Sequence, residues 1–305
     1  MDFLDIPGDF IMTSRGCPAA CNFCAASRMF PGGVRLRSIG QVAVEIEQLL
    51  SRKKIKGLKI FDSTFTADRR HVEQFCAMIK PYELKWECEI RADTVDDALL
   101  HDMKDSGCYY INMGLETSNP ALLKNIAKGI SAAQVLSVLD SCDRIGIRKK
   151  VFFTFGHIGE TYRDCLDDIN FIKANRSRID FFAVTLGMRI YPGTRLEKNC
   201  RELGHIHPSF SWIKSAKSLK NFLVFEFGDV PILFQKDLRV SHMVLILFKL
   251  LFMRTICSPQ YLFQMLATNA LLIMLLFKKH AIYSWHRFCR MINYQETGVL
   301  SGPAE

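Results

Sequence analysis

Arg15-Gly16-Cys17-Pro18-Ala19-Ala20-Cys21-Asn22-Phe23-Cys24 is the stretch that orients the reading of this 305-residue chain. Its cysteines follow a Cys-x3-Cys-x2-Cys spacing, and the next cysteine is Cys76. Thiolates this close at Cys17, Cys21 and Cys24 suit three irons of a [4Fe–4S] cluster. With no fourth cysteine near, the fourth iron would lack a protein ligand and stay open to a small molecule. Electron-transfer clusters usually close that position with a fourth cysteine, so an open iron points to chemistry.

Three blander readings compete. Zinc takes four ligands, typically as a Cys-x2-Cys pair with a second distant pair. Eight histidines are available, but the first is His71 and no second pair stands at ligand spacing. A disulfide set fits poorly, because eleven cysteines is an odd total and residues 1–10 are too short and too acidic for a signal peptide. The last alternative is burial of three small apolar thiols in a core.

Outward from the cysteine loop, strand-like and helix-like runs alternate. Residues 9–14, 57–62, 85–91, 108–116, 148–156 and 179–190 read as strands. Residues 41–50, 69–79, 95–106, 131–145 and 161–175 have helical spacing, with Gly107 and Gly146 as stops. Six β–α units with short links predict a parallel sheet with helices outside. Right-handed crossovers curl such a sheet toward a barrel, whose chemistry sits at the C-terminal ends of the strands. The unusual polar residues lie at those ends here.

The cysteine spacing, its flank Thr13-Ser14-Arg15-Gly16-Cys17-Pro18 and the aromatic Phe23 resemble the motif of the radical S-adenosylmethionine (SAM) superfamily. They look most like the branch whose members often carry a cobalamin-binding domain. The resemblance runs from about Asp9 to about Lys198. It implies an α/β fold, a partial (β/α)6 TIM-like barrel. It also implies two cofactors, a [4Fe–4S] cluster and SAM, with SAM on the open iron. In that family the reduced cluster cleaves SAM to a 5′-deoxyadenosyl radical, which abstracts hydrogen from a substrate or supports methyl transfer to it. The cofactors carry the hard step, while the protein supplies position, electrostatics and exclusion of water.

The resemblance carries SAM contacts onto strand ends. Phe23 corresponds to a residue that meets adenine; its plain alternative is packing under the loop. Asp62, Ser63 and Thr64 correspond to a run that holds the SAM amino group, although the same residues suit a turn leading into a helix. Arg91 is a SAM-carboxylate or substrate contact, or else an ion-pair partner of Asp93 or Glu116. Gly114-Leu115-Glu116-Thr117-Ser118 resembles the family's Gly-x-Glu-Ser element, in which Glu116 and Thr117 would help hold SAM; a barrel-mouth ion pair is the alternative. His157, in an element that passes near adenine, is a cofactor contact, a proton donor near substrate, or a structural histidine. Glu160 and Thr161 are expected to start the next helix. Ser63, Thr117 and Ile158 depart from the usual family residues. No catalytic acid or base is assigned.

The net charge is +9. Residues 201–305 hold twelve Lys/Arg and six Asp/Glu, so +6 of it lies in the last third. That basic stretch is also apolar, and it lacks a nucleic-acid-binding signature, so no nucleic acid is expected. The organisation anticipated is a core domain over 1–200 and a mainly helical, apolar, basic extension over 201–305. Residues 255–277 run for 23 positions without charge but include Pro259, Gln260, Gln264 and Asn269. Three readings stand for residues 240–277: helices packed on the barrel, helices lying at a membrane surface, or a membrane span. The expected location is cytoplasmic, peripheral to the inner face of a membrane if the second reading holds. Only sixteen residues precede Cys17, too few for a cobalamin domain, so cobalamin is expected only through a separate protein. The other expected partners are an electron donor such as a flavodoxin or ferredoxin and a small-molecule substrate. The alternative to an enzyme is a non-catalytic iron–sulfur partner subunit or a degenerate relative.

Overall fold

Along Arg148–Phe155 buried side chains alternate with exposed or half-buried ones. A strand with one face on helices and the other on a barrel interior requires that period of two. The computed structural model describes residues 2–3, 6–204, 206, 232–233, 238, 240–252, 293–294 and 299–301. Six parallel strands, β1 (Ile6–Ile11), β2 (Gly57–Ile60), β3 (Lys85–Ile90), β4 (Cys108–Glu116), β5 (Arg148–Phe155) and β6 (Phe181–Leu186), pair in chain order. They form a curled half-barrel, the partial TIM barrel anticipated.

Helices α1 (Ile39–Arg52), α2 (Arg69–Ile79), α3 (Asp97–Asp105), α4 (Pro120–Asn125), α5 (Ala132–Ile145) and α6 (Tyr162–Ala174) join these strands. Each begins on a side chain that accepts a backbone N–H of its own first turn: Ser38, Asp68, Asp96, Asn119, Ser131 and Thr161. Such caps satisfy donors that a helix start otherwise leaves open. The core lies between sheet and helices. At one end of it, Phe65, Phe75 and Trp86 meet edge to face at centroid distances of 5.2–5.6 Å.

Three differences from the sequence reading have local causes. β1 ends at Ile11 because Thr13 and Ser14 turn to bond with Asp62. The run over 179–190 is two strands, not one. Gly187, at φ +84°, breaks it, and Met188–Arg189 pairs antiparallel with Ile232–Leu233. The short α4 was not anticipated, although Asn119 and Pro120 are a cap and first-position pair.

Beyond the barrel, α7 (Arg195–Glu202) runs across position 200, and α8 (Val240–Phe252) follows. Met243, Ile246, Leu247 and Leu250 of α8 are buried in the main core, and the His242 ring stacks on Tyr162 of α6 at 5.1 Å. This part of the tail therefore packs on the barrel. A small antiparallel sheet joins Met188–Arg189, Ile232–Leu233, Val299–Ser301 and Asn293–Tyr294 in that order. The extension anticipated as mainly helical thus contributes strands as well. Among the described residues no helix is long and apolar enough to cross a membrane. Residues 255–277 lie outside the described residues.

Candidate active site

The cysteine loop is a closed structure. Ser14–Arg15 pairs antiparallel with Arg35–Leu36 and so ties its two ends together. At the neck, Gly16 has φ +94°, and a Cβ there would lie 2.4 Å from the Gly33 carbonyl oxygen. Only glycine fits both that conformation and that approach. Asp62 fastens the neck to β2: its carboxylate accepts from Thr13 N at 2.7 Å, Thr13 Oγ1 at 2.6 Å and Ser14 Oγ at 2.7 Å. His71 Nε2 lies 3.1 Å from the same Thr13 hydroxyl. Asp62 is thus occupied by the loop base, a partner set the sequence did not reveal.

Beyond the neck, Cys17, Cys21 and Cys24 line one cavity of about 260 Å³ together with Arg28, Gly33 and Arg195. All three are free thiols and none is fully buried. Burial pushes the Cys21 and Cys24 thiols up, which metal ligation would reverse, because the ligand is the thiolate. Among the described residues no three His, Cys, Asp or Glu side chains form a site for a single metal ion. Three thiols spread around one cavity, with arginines to balance their charge, fit a cluster. Thr64 stands beside Cys17: its Oγ1 is 3.2 Å from Cys17 Sγ and donates to the Ser63 carbonyl at 2.7 Å. Ser63 beside it is exposed.

The far side of the loop docks on the segment after α4. Asn22 N donates to the Ile126 carbonyl at 2.9 Å, and Asn22 Nδ2 to the Asn125 carbonyl at 2.9 Å. Two residues on, Lys128 is buried and donates to Glu116 Oε1 at 2.8 Å; Thr154 Oγ1 donates to Glu116 Oε2 at 2.8 Å. Burial alone would raise the Glu116 carboxyl, but the Lys128 charge and these hydrogen bonds outweigh it and hold it low. The same pairing, with a contribution from the Cys21 thiol, raises Lys128 against its burial. Glu116 takes the left-handed backbone conformation, φ 73°, at a bulge in the β4–β5 pairing. Gly114 makes room for the pair, since a Cβ there would lie 2.4 Å from Glu116 Oε1. Lys128 was not anticipated.

Arg91 forms a bidentate pair with Asp93 at 2.9 and 2.8 Å, and its Nη2 also donates to the Lys128 carbonyl at 3.0 Å. Of the alternatives weighed for it, the Asp93 ion pair is present, and the side chain also braces the Lys128 turn. Thr117 is fully buried and accepts from Asn119 N at 3.1 Å. Its neighbour Ser118 donates from backbone and side chain to Asp168 Oδ1.

On the third side, the Phe23 ring meets His157 edge-on at 6.1 Å. His157, Ile158, Met188, Ile126 and Leu196 line a second cavity of about 210 Å³ beside Asn22. Burial pushes the His157 imidazole down to about 4, so it is neutral near pH 7. Glu160 does not sit in the next helix. It closes its own turn, accepting from Gly156 N at 2.5 Å and His157 N at 2.8 Å, while Thr161 caps α6. The fold therefore gathers Cys17, Cys21, Cys24, Thr64, Phe23, Glu116 and His157 around the cysteine loop. Asp62, Arg91 and Thr117 are committed to partners that support it.

Residues 11–172 match the family model described as the radical SAM superfamily. The chain belongs to the radical SAM superfamily. Radical SAM proteins characteristically take a [4Fe–4S] cluster and SAM, and the thiol-lined cavity of this one fits the cluster. It is 31% identical over 193 residues to an uncharacterized methyltransferase of Pyrococcus horikoshii, covering 63% of this chain and 41% of that protein. It is 21% identical over 280 residues to bacteriochlorophyllide d C-8(2)-methyltransferase of Chlorobaculum tepidum, covering 88% and 59%. Among solved structures it is similar to the radical SAM methyltransferase TsrM from Kitasatospora setae, determined with cobalamin and a [4Fe–4S] cluster bound. There the TM-score is 0.60 and the identity 20%, over 65% of this chain and 37% of TsrM, a likeness of fold. The radical SAM chain spans less than two thirds of the length of each of these proteins.

Proposed function

We propose that this chain is a radical SAM methyltransferase acting on a small-molecule substrate. The observation that carries the reading is the single cavity lined by Cys17, Cys21 and Cys24, with Thr64 on one thiol and the Glu116–Lys128 pair behind the loop. The methyltransferase names of the similar proteins support the reaction type. When bound, the cluster and SAM supply the electron, the radical and the methyl group. The chain's own residues do the rest. Cys17, Cys21 and Cys24 would hold the cluster through their thiolates. Glu116, kept ionised by Lys128 and Thr154, offers a fixed carboxylate to SAM hydroxyls. Phe23 and neutral His157 form an apolar wall for the adenine and keep water from that side. Asp62, Arg91 and Thr117 hold the loops that present these groups. An electron donor such as a flavodoxin or ferredoxin completes the proposal.

The test is anaerobic. The chain is reconstituted with iron and sulfide, given dithionite and SAM, and assayed for 5′-deoxyadenosine and S-adenosylhomocysteine, with and without added cobalamin. Both products are expected, and neither from a Cys17/Cys21/Cys24→Ala variant. A full iron and sulfide complement with no SAM consumed under any condition overturns the reading in favour of a non-catalytic iron–sulfur subunit.

A further inference from the structure

Rows of interior-facing side chains cross the barrel in register. In the lower row, Lys59, Glu87, Tyr110 and Arg148 are paired neighbours on β2 to β5. Its two inner charges pair with each other, and the exposed Arg148 lies over two rings. Lys59 Nζ is 3.0 Å from Glu87 Oε1, and the Arg148 guanidinium lies 5.0 Å from the Phe181 ring and 5.9 Å from Tyr110.

The next interior row is different. Glu89 pairs in register with Asn112, and Asn112 with Lys150. Their chain neighbours Cys88, Ile90, Ile111, Met113 and Val151 all face the core, so these three side chains face inward. Among the described residues neither Glu89 nor Lys150 makes a side-chain hydrogen bond or an ion pair. Lys150 Nζ lies 5.1 Å from the Phe152 ring, and it and Glu89 act on each other only through space. Asn112 is 3% exposed and has only a long 3.5 Å contact to the Cys88 carbonyl. Burial pushes the Glu89 carboxyl up and the Lys150 ammonium down. Sheltered charges of opposite sign left apart cost stability, and the row below joins the same two charge types directly.

Above this row the barrel opens. Gly114, Phe152 and Ala183 are paired neighbours and all are partly exposed, with the room over Gly114 itself taken by the Glu116–Lys128 pair. Two residues of strand rise about 7 Å, which brings this level to the Glu116–Lys128 pair and the cysteine loop. Glu89 and Lys150 stand two strands apart, about 9–10 Å between backbones. Both side chains are partly exposed and no ion pair joins them, so the space between the two charges suits a compact head group.

We propose that Glu89, Asn112 and Lys150 form the recognition floor for a small zwitterionic substrate, an amino-acid-like head group whose ammonium meets Glu89 and whose carboxylate meets Lys150. Asn112 lies between them with an amide that serves either end. The body of the substrate then points past Ala183 and alongside the Glu116–Lys128 pair toward the cysteine cavity. This direction rests on the methyltransferase reading; the charge complementarity does not.

The test reads binding without SAM or cluster turnover. Thermal melting of the full chain is measured with each free proteinogenic L-amino acid, then with the decarboxylated amine and the deaminated acid of the one that stabilises most. A rise of a few degrees is expected with an intact amino acid and little with either single-charge analogue. Glu89→Gln and Lys150→Met are each expected to weaken that binding about tenfold or more, with no loss of ligand-free melting temperature. The proposal is overturned by no stabilisation from any amino acid, by equal stabilisation from an analogue, or by variants that bind unchanged. Variants that melt several degrees lower without ligand make the row structural and overturn it as well. Formation of 5′-deoxyadenosine by the wild-type chain is scored separately, so failure of the methyltransferase reading is seen apart from failure of this one.

Discussion

Lys128 reaches back twelve positions to Glu116, and the two join at 2.8 Å beneath the one strand position, Gly114, where no side chain stands in their way. Both side chains are about one-tenth exposed. Removing one partner of such a pair leaves the other charged and sheltered, which costs about 3–5 kcal/mol. Lys128→Met is expected to show that loss in chemical denaturation. Adding Glu116→Gln to it is expected to restore part of it, because no uncompensated charge remains. Gly114→Ala, by forcing the pair aside, is expected to cost about 1–3 kcal/mol.

The neck of the cysteine loop gives a second comparison. Gly16 and Gly32 have nearly the same φ, +94° and +95°, but only Gly16 faces a backbone oxygen at 2.4 Å. Left-handed strain alone costs about 1–2 kcal/mol. Gly32→Ala is expected to bear only that and to reconstitute with a full iron complement. Gly16→Ala must also open the neck. Iron bound per chain after reconstitution is expected to fall clearly in Gly16→Ala, and equal loading in the two variants would contradict the role of the neck.

Thr64 Oγ1 lies 3.2 Å from Cys17 Sγ and donates to the Ser63 carbonyl at 2.7 Å, so it donates to a ligated Cys17 thiolate only by turning from that carbonyl. Hydrogen bonds to ligand sulfurs help set cluster potentials, and donation stabilises the more negative, reduced state. Thr64→Val is expected to shift the reconstituted cluster to a more negative potential, on the order of 40 mV if one ordinary hydrogen bond is lost. Thr64→Ser is expected to stay near wild type. A redox titration followed by electron paramagnetic resonance reads the difference.

Much of this was readable along the chain. The bounds of Arg69–Ile79 and Cys108–Glu116 agree with their periodicity, because amphipathic spacing and caps act over a few residues. The partners of Asp62 were not readable. Thr13 and Ser14 lie 49 and 48 positions away, and their meeting depends on two parallel strands being laid side by side.

The turn after β5 sets a pH dependence. Burial holds the Glu160 carboxyl up at about 8, against an ordinary value of 4.5. The folded chain keeps a proton there that the unfolded chain releases. Stability from this group is therefore complete below pH 4.5 and is lost as pH rises through 8. His157 acts in the opposite sense. Its imidazole is held down at about 4 from 6.5, so its contribution is present above pH 6.5 and is lost as pH falls through 4. Urea unfolding from pH 6.5 to 9 is expected to show falling stability in the wild type and a flatter profile in Glu160→Gln. The acid limb is expected in both.

The linear sequence by itself determined the close spacing of Cys17, Cys21 and Cys24, the alternation of strand and helix, and the caps that start each helix, since spacing, periodicity and capping are local properties of a few consecutive residues. Tertiary structure alone decided that Asp62 serves the loop neck, that Arg91 braces Lys128, that Lys128 keeps Glu116 ionised, and that Glu89 and Lys150 face each other unpaired across Asn112. Those assignments depend on which charges share a sheltered space after the strands are set in register, and in that space an ionised group needs a partner far more than it does in water.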